Sequence, residues 1–97
     1  MIAEILGIGR DNARTAQEIG RILDLDPRSV TAQVSKERLA GSPICSICRG
    51  EHRGYFLPAN RQELEHFCNR LEHRAGRIMR TREACVTKLD SLEVLQR

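Results

Sequence analysis

TAQEIGRILDLDPRSVTAQVSKERLA, residues 15 to 40, decides the fold. Thr15 is a strong helix N-cap, and Glu18 three residues later completes a capping box. Ile19, Ile22 and Leu23 then recur on one face, so a first helix is expected from Thr15 to Leu23. Asp24 and Asp26 close it. The next helix opens either with Asp26 as N-cap and Pro27 at the first helical position, or with Pro27 and Arg28. It is expected over Arg28 to Ala40, with Val30 and Val34 as its inner stripe, Leu39 near its end and Gly41 as its terminator. Arg28, Ser29, Thr31, Gln33, Lys36 and Glu37 are expected to face outward.

Upstream, Ile2, Ile5 and Leu6 predict a short helix that Gly7 and Gly9 end before a polar loop from Arg10 to Arg14. Downstream, Pro43 excludes simple helical continuation, and Ile44 to Cys48 alternates like a half-exposed strand. Gly50 to Gly54 reads as a turn, and Tyr55, Phe56 and Leu57 as the returning strand, ended by Pro58. From Asn60 to about Leu95 the pattern is helical, with only Gly76 as an interruption. Leu64, Cys68, Leu71, Ala75, Ile78, Arg82, Cys85, Leu89 and Leu92 are spaced by alternating steps of four and three, a heptad seam whose one charged member is Arg82. Phe67 lies beside the seam, placed to pack the helix onto the preceding elements. The expected class is therefore mainly α with a small β-hairpin, divided into residues 1–59 and a long helix, 60–97.

Ninety-seven residues suit one domain of modest stability, which makes a partner subunit reasonable. Net charge is only +3, so a polyanion partner is permitted without being demanded. Fourteen of the 16 basic residues are Arg, whose planar fork suits phosphate and guanine but also ordinary salt bridges. No run approaches a membrane span and no leader pattern opens the chain, so a cytoplasmic protein with reduced thiols is expected. His52, His66 and His73 are not interleaved with a nucleophile and an orienting acid, and there is no glycine-rich phosphate cradle. The expectation is a protein that is not an enzyme, with no cofactor and no small-molecule substrate.

Helix, tight turn, helix, hairpin is an order that places one helix in a DNA groove and a loop beside it. On that reading Arg28 and Ser29 meet the groove at a helix N-terminus, Gln33 reaches adenine, Thr31 touches a thymine methyl and Lys36 takes a phosphate. Arg49 and Arg53 in the hairpin turn approach the backbone. For each, the competing reading is solvated surface. The seam, through Leu64, Cys68, Leu71, Ala75, Ile78, Cys85, Leu89 and Leu92, is expected to pair two copies into a homodimer. Folding back of the C-terminal half, Arg80 to Arg97, onto its own domain is the other possibility. Cys45-Ser46-Ile47-Cys48 followed by His52 has zinc-ligand residue types, but a closed site needs a fourth ligand from Cys68, His66 or His73. With no second such pair the reading adopted is no metal, two strand thiols pointing to opposite faces. A non-enzymatic adaptor, for example one serving phage or mobile-element replication, is the alternative to transcriptional control.

GRDNARTAQEIGRIL (9–23), DPRSVTAQVSKERLAGSPIC (26–45), GYFLP (54–58) and NRQELEHFCNRLEHRAGRI (60–78) together resemble winged helix-turn-helix DNA-binding proteins, and more narrowly small prophage-type regulators of Gram-positive bacteria. The resemblance implies double-stranded DNA binding by Arg28 through Arg38 and a wing ending at GYFLP. Such proteins tend to carry Leu seven residues after the first inner valine of the recognition helix; this chain has Glu37 there.

Overall fold

The computed structural model describes residues 1–89, 91 and 92 of the chain. Its elements, in order, are α1 (Ala16–Leu23), α2 (Pro27–Leu39), β1 (Cys45–Ile47), β2 (Gly54–Phe56) and α3 (Arg61–Val86). Two short helices, an antiparallel hairpin and a long helix make a winged helix-turn-helix arrangement. Residues Met1–Phe67 form one compact unit and the chain from Cys68 a second.

Local chemistry accounts for the helix ends. The Glu18 N–H donates to Thr15 Oγ1 at 3.1 Å while Glu18 Oε1 accepts from the Thr15 N–H, so the capping box forms as the sequence predicts. Thr15→Ala removes the first of these bonds and is expected to cost about 1 kcal/mol of stability, measured by urea denaturation. A change below a few tenths would mean that the cap contributes nothing. α1 ends at Asp24 in the left-handed conformation, and the Leu25 N–H donates to the Gly20 carbonyl at 2.8 Å. That closure brings the Leu25 carbonyl to 2.3 Å from where a Cβ on Gly20 would stand, so only glycine fits the inner side of this turn. α2 opens with Asp26 as N-cap and Pro27 in its first turn.

The core has two parts. Ile2, Leu6, Ile19, Val30, Val34 and Ile44 form the larger, under the helical pair. Cys45, Phe56 and Phe67 form the smaller, with Leu64 packed against it. Phe67 thus packs the start of α3 onto the hairpin as expected, and the first compact unit takes in the opening turns of α3. Asn60 caps that helix by accepting from the Glu63 N–H at 2.9 Å, and the Glu63 carboxylate in turn accepts from the N–H groups of Ala59 and Arg10.

Several expectations are corrected. The short helix at Ile2 to Leu6 is a single 3-10 turn, Ala3–Ile5, and a second such turn, Arg10–Asn12, lies in the loop read as irregular. Ile22 is half exposed and Leu39 is 91% exposed, so neither belongs to the inner stripe. Ile19 of α1 shares the larger core with Val30 and Val34 of α2, and Ile22 and Leu39 lie outside it. Ile44 and Cys45 are both buried rather than alternating, because each enters a different part of the core. β1 is shorter than read and β2 begins and ends one residue earlier, pairing Cys45 with Phe56, Ser46 with Tyr55 and Ile47 with Gly54. The far edge of β2 is also occupied: Tyr55 exchanges backbone hydrogen bonds with Arg14 at 2.9 and 2.7 Å, and Leu57 bridges to the segment around Ile8. α3 passes through Gly76 but stops at Val86, where Thr87 turns its hydroxyl onto the Ala84 carbonyl at 2.7 Å. A threonine that bonds its own backbone competes with helical continuation, and its β-branched neighbour Val86 adds to that. Leu89, Ser91 and Leu92 are helical again beyond the two-residue turn at Thr87 and Lys88, and residues 93 to 95 of the expected continuation lie outside the described residues.

Candidate nucleic-acid interface

The face that α2 offers to a ligand follows from what it buries. With Val30 and Val34 turned into the core, helical periodicity sends Arg28, Ala32, Ser35 and Lys36 to the opposite side, and all four are exposed. Ala32 and Ser35 were absent from the outward set read from the sequence, although the spacing from the two valines would have found them.

Glu37 is the largest departure. It is turned inward, its side chain only 11% exposed, at the position where leucine would stand in the resembling proteins. Its carboxylate accepts from the backbone N–H of Ile2 at 2.9 Å and of Ala3 at 3.0 Å, from the Gln33 amide at 2.9 Å, and faces the Met1 nitrogen at 3.3 Å. Burial would raise its pKa, but these donors together outweigh burial and hold it at about 2. Glu37 thus caps the first 3-10 turn of the chain from a helix more than thirty residues away. It is also the only acid within α2, so the exposed face of that helix carries Arg28 and Lys36 and no opposing charge.

Gln33 is half-buried and spends its amide on Glu37. Thr31 donates its hydroxyl to the Pro27 carbonyl at 3.1 Å, and Ser29 donates to the Asp26 carboxylate. The start of α2 is therefore lined by an acid, with exposed Asp24 just before it, and repels phosphate there. Attraction comes from Arg28, in that same first turn, and from Lys36 further along the helix. Arg49 and Arg53 are exposed in the loop between β1 and β2, which also carries Glu51 and His52.

Arg38, the last residue of the stretch that the resemblance gives to DNA, is turned away from that face. Its Nε donates to the Ile44 carbonyl at 2.7 Å, and its guanidinium carbon lies 4.8 Å from the Phe67 ring centre and 5.8 Å from that of Tyr55. Burial lowers its pKa from the ordinary arginine value, while the hydroxyl of Tyr55 and the thiol of Cys45 act in the opposite direction. Ring faces attract a cation that has lost its water. The contact ties the end of α2 to the hairpin and to the start of α3, so the two parts of the candidate interface are held in one unit.

Cys45 is buried beside Phe56 whereas Cys48 is exposed beyond the end of β1, so the two thiols are not turned to one centre. Among the described residues no group of three or more Cys, His, Asp or Glu side chains is placed to hold a metal, Cys45, Cys48 and His52 included. No helix among the described residues is long and apolar enough to cross a membrane.

These features define the first compact unit as a winged helix-turn-helix module, a class generally associated with DNA binding. No family model, curated protein or solved structure matches the chain. The class therefore stands on the architecture.

Proposed function

We propose that this protein binds double-stranded DNA with sequence preference and acts as a small transcriptional regulator. In this reading residues 1–59 contact DNA and residues 60–97 pair two copies. α2 enters the major groove with Arg28, Ser29, Thr31, Gln33 and Lys36, and the loop presents Arg49 and Arg53 to the backbone. The likeness to prophage-type regulators belongs to the same proposal. The observation that carries it is the inward turn of Glu37, which leaves the outer face of α2 basic and otherwise small: Ala32 and Ser35 allow a duplex to approach closely between Arg28 and Lys36. The seam residues Leu64, Cys68, Leu71, Ala75, Ile78, Cys85, Leu89 and Leu92 supply the homodimer, although Leu64 already packs within its own unit.

Fluorescence anisotropy with a labelled random duplex at several salt concentrations tests this directly. Four phosphate contacts per subunit, from Arg28, Lys36, Arg49 and Arg53, give an expected slope of log affinity on log salt of about −3 to −4 for each subunit engaged. The Arg28→Ala/Lys36→Ala pair is expected to flatten it by about 2. No binding at low salt overturns the proposal, and binding that never discriminates between sequences overturns the regulatory part. The alternative of a protein-binding adaptor is favoured by exposed Ile22 and Leu39 at the surface of the helical pair, and a salt-independent partner would support it.

A further inference from the structure

Between Cys68 and Cys85, α3 carries six seam positions, Cys68, Leu71, Ala75, Ile78, Arg82 and Cys85, all of them exposed. The stretch begins where the first compact unit ends and closes one residue before α3 does. Its spacing, in steps of three, four, three, four and three, reads the same from both ends, and both ends are cysteine. Laid against a second copy running the opposite way, Cys68 meets Cys85, Leu71 meets Arg82 and Ala75 meets Ile78, so a small residue faces a larger one at the centre and thiol faces thiol at both ends.

Charge decides the direction. Arg82 has Ile78, Met79, Cys85 and Val86 three and four positions away, and Glu72 has Cys68, Asn69, Ala75 and Gly76, so neither meets an opposite charge on its own helix face. In heptad terms Arg82 is at an a position and Glu72 at an e position, and these lie on the same flank of an antiparallel pair. The register above puts both at the same level, within reach of an arginine side chain. A parallel pair would set Arg82 against the other copy's Arg82, with Met79, Thr81, Val86 and Lys88 at the flanking positions and no acid among them. Like charges facing each other at a seam destabilise it.

We infer that the partner on this face is a second copy of the chain docked antiparallel, with Arg82 of each copy paired to Glu72 of the other. This rests on the homodimer of the proposed function and specifies its geometry. The two Cys68 positions then lie at opposite ends of the pair, roughly 26 Å apart at 1.5 Å per residue.

The test uses the full chain with Cys48→Ser throughout, which removes the exposed loop thiol and leaves the buried Cys45 in place, together with a short bis-maleimide and sedimentation. The antiparallel pair predicts that Cys68 and Cys85 cross-link efficiently and that Cys68→Ser and Cys85→Ser each lose the cross-linked dimer. Mixing the two single variants in equal amounts restores it, because each then supplies the thiol the other lacks. Glu72→Arg is expected to weaken the sedimenting dimer and Glu72→Arg/Arg82→Glu to recover it. Cross-linking of either single variant with itself shows a parallel pair and overturns the inference, as does a dimer whose thiols do not cross-link. A chain that sediments only as a monomer overturns the dimer of the proposed function itself.

Discussion

Glu37→Ala is expected to lower the unfolding free energy by roughly 3 kcal/mol, and the thermal midpoint by about 10 to 20 °C, at neutral pH. The substitution strands the N–H groups of Ile2 and Ala3, both part-buried, and releases the Gln33 amide. Hydrogen bonds to a charged acceptor contribute about 1.5 to 3 kcal/mol each before the cost of burying that charge is subtracted, which agrees with a carboxyl held at about 2 against an ordinary 4.5. The depressed pKa also fixes the acid behaviour. The stabilisation is complete above 4.5, where the unfolded chain is ionised too, and is lost as pH falls from there towards about 2. Glu37→Gln keeps an acceptor oxygen but no charge, so it should be less damaging than alanine and lack this share of the acid slope. Denaturant titrations of all three proteins between neutral pH and the acid limit make the comparison. A loss under 1 kcal/mol for the alanine variant would show that the cap is not what holds the first turns of the chain.

Gly54→Ala should be comparably costly, about 3 kcal/mol. Gly54 has φ +127, and a Cβ there would stand 2.2 Å from the Arg14 carbonyl oxygen, 2.4 Å from its carbon and 2.8 Å from the Thr15 nitrogen. All three are backbone atoms, and they cannot retreat without opening the Arg14–Tyr55 pairing and disturbing the cap of α1. Gly50 supplies the control. Its φ is +89 but nothing lies within 4 Å of the added carbon, so Gly50→Ala carries backbone strain alone, about 1 kcal/mol. Hydrogen exchange reads the difference: Gly54→Ala should release the Tyr55 and Arg14 amides well before Val30, whereas Gly50→Ala should not. Equal effects of the two variants would mean that strain, rather than the close approach of β2 to Arg14, dominates.

These two residues explain how the interface is arranged. Glu37 holds the first turns against α2 and takes its own charge off the outer face of that helix. Gly54 lets the hairpin lie close enough to the start of α1 for the loop bearing Arg49 and Arg53 to belong to the same unit as α2. Arg38, stacked on Phe67, completes the connection.

Much of the architecture was legible in the chain because its signals are local. The Thr15–Glu18 box, the Asp26-Pro27 start, Gly41 after α2 and the glycine-bounded loop each act within one turn of backbone, and the structure places them as expected. The valines at 30 and 34 likewise define an inner stripe by spacing alone. Ile22, Leu39 and Glu37 were misread because helical period ranks residues by polarity, while burial depends on which element arrives to cover them. An acid on the inner flank reads as a surface residue until the backbone donors it serves are known.

The order of elements, the turns between them and the positions of the caps were readable from the chain alone, because those depend on side chains and backbone a few residues apart. The inward turn of Glu37 and Arg38, the pairing of Arg14 with Tyr55 and the removal of Glu37 from the outer face of α2 appear only once the chain is folded. Each of these depends on partners distant in the chain, Glu37 on Ile2 and Arg38 on Phe67, whose approach no local periodicity encodes.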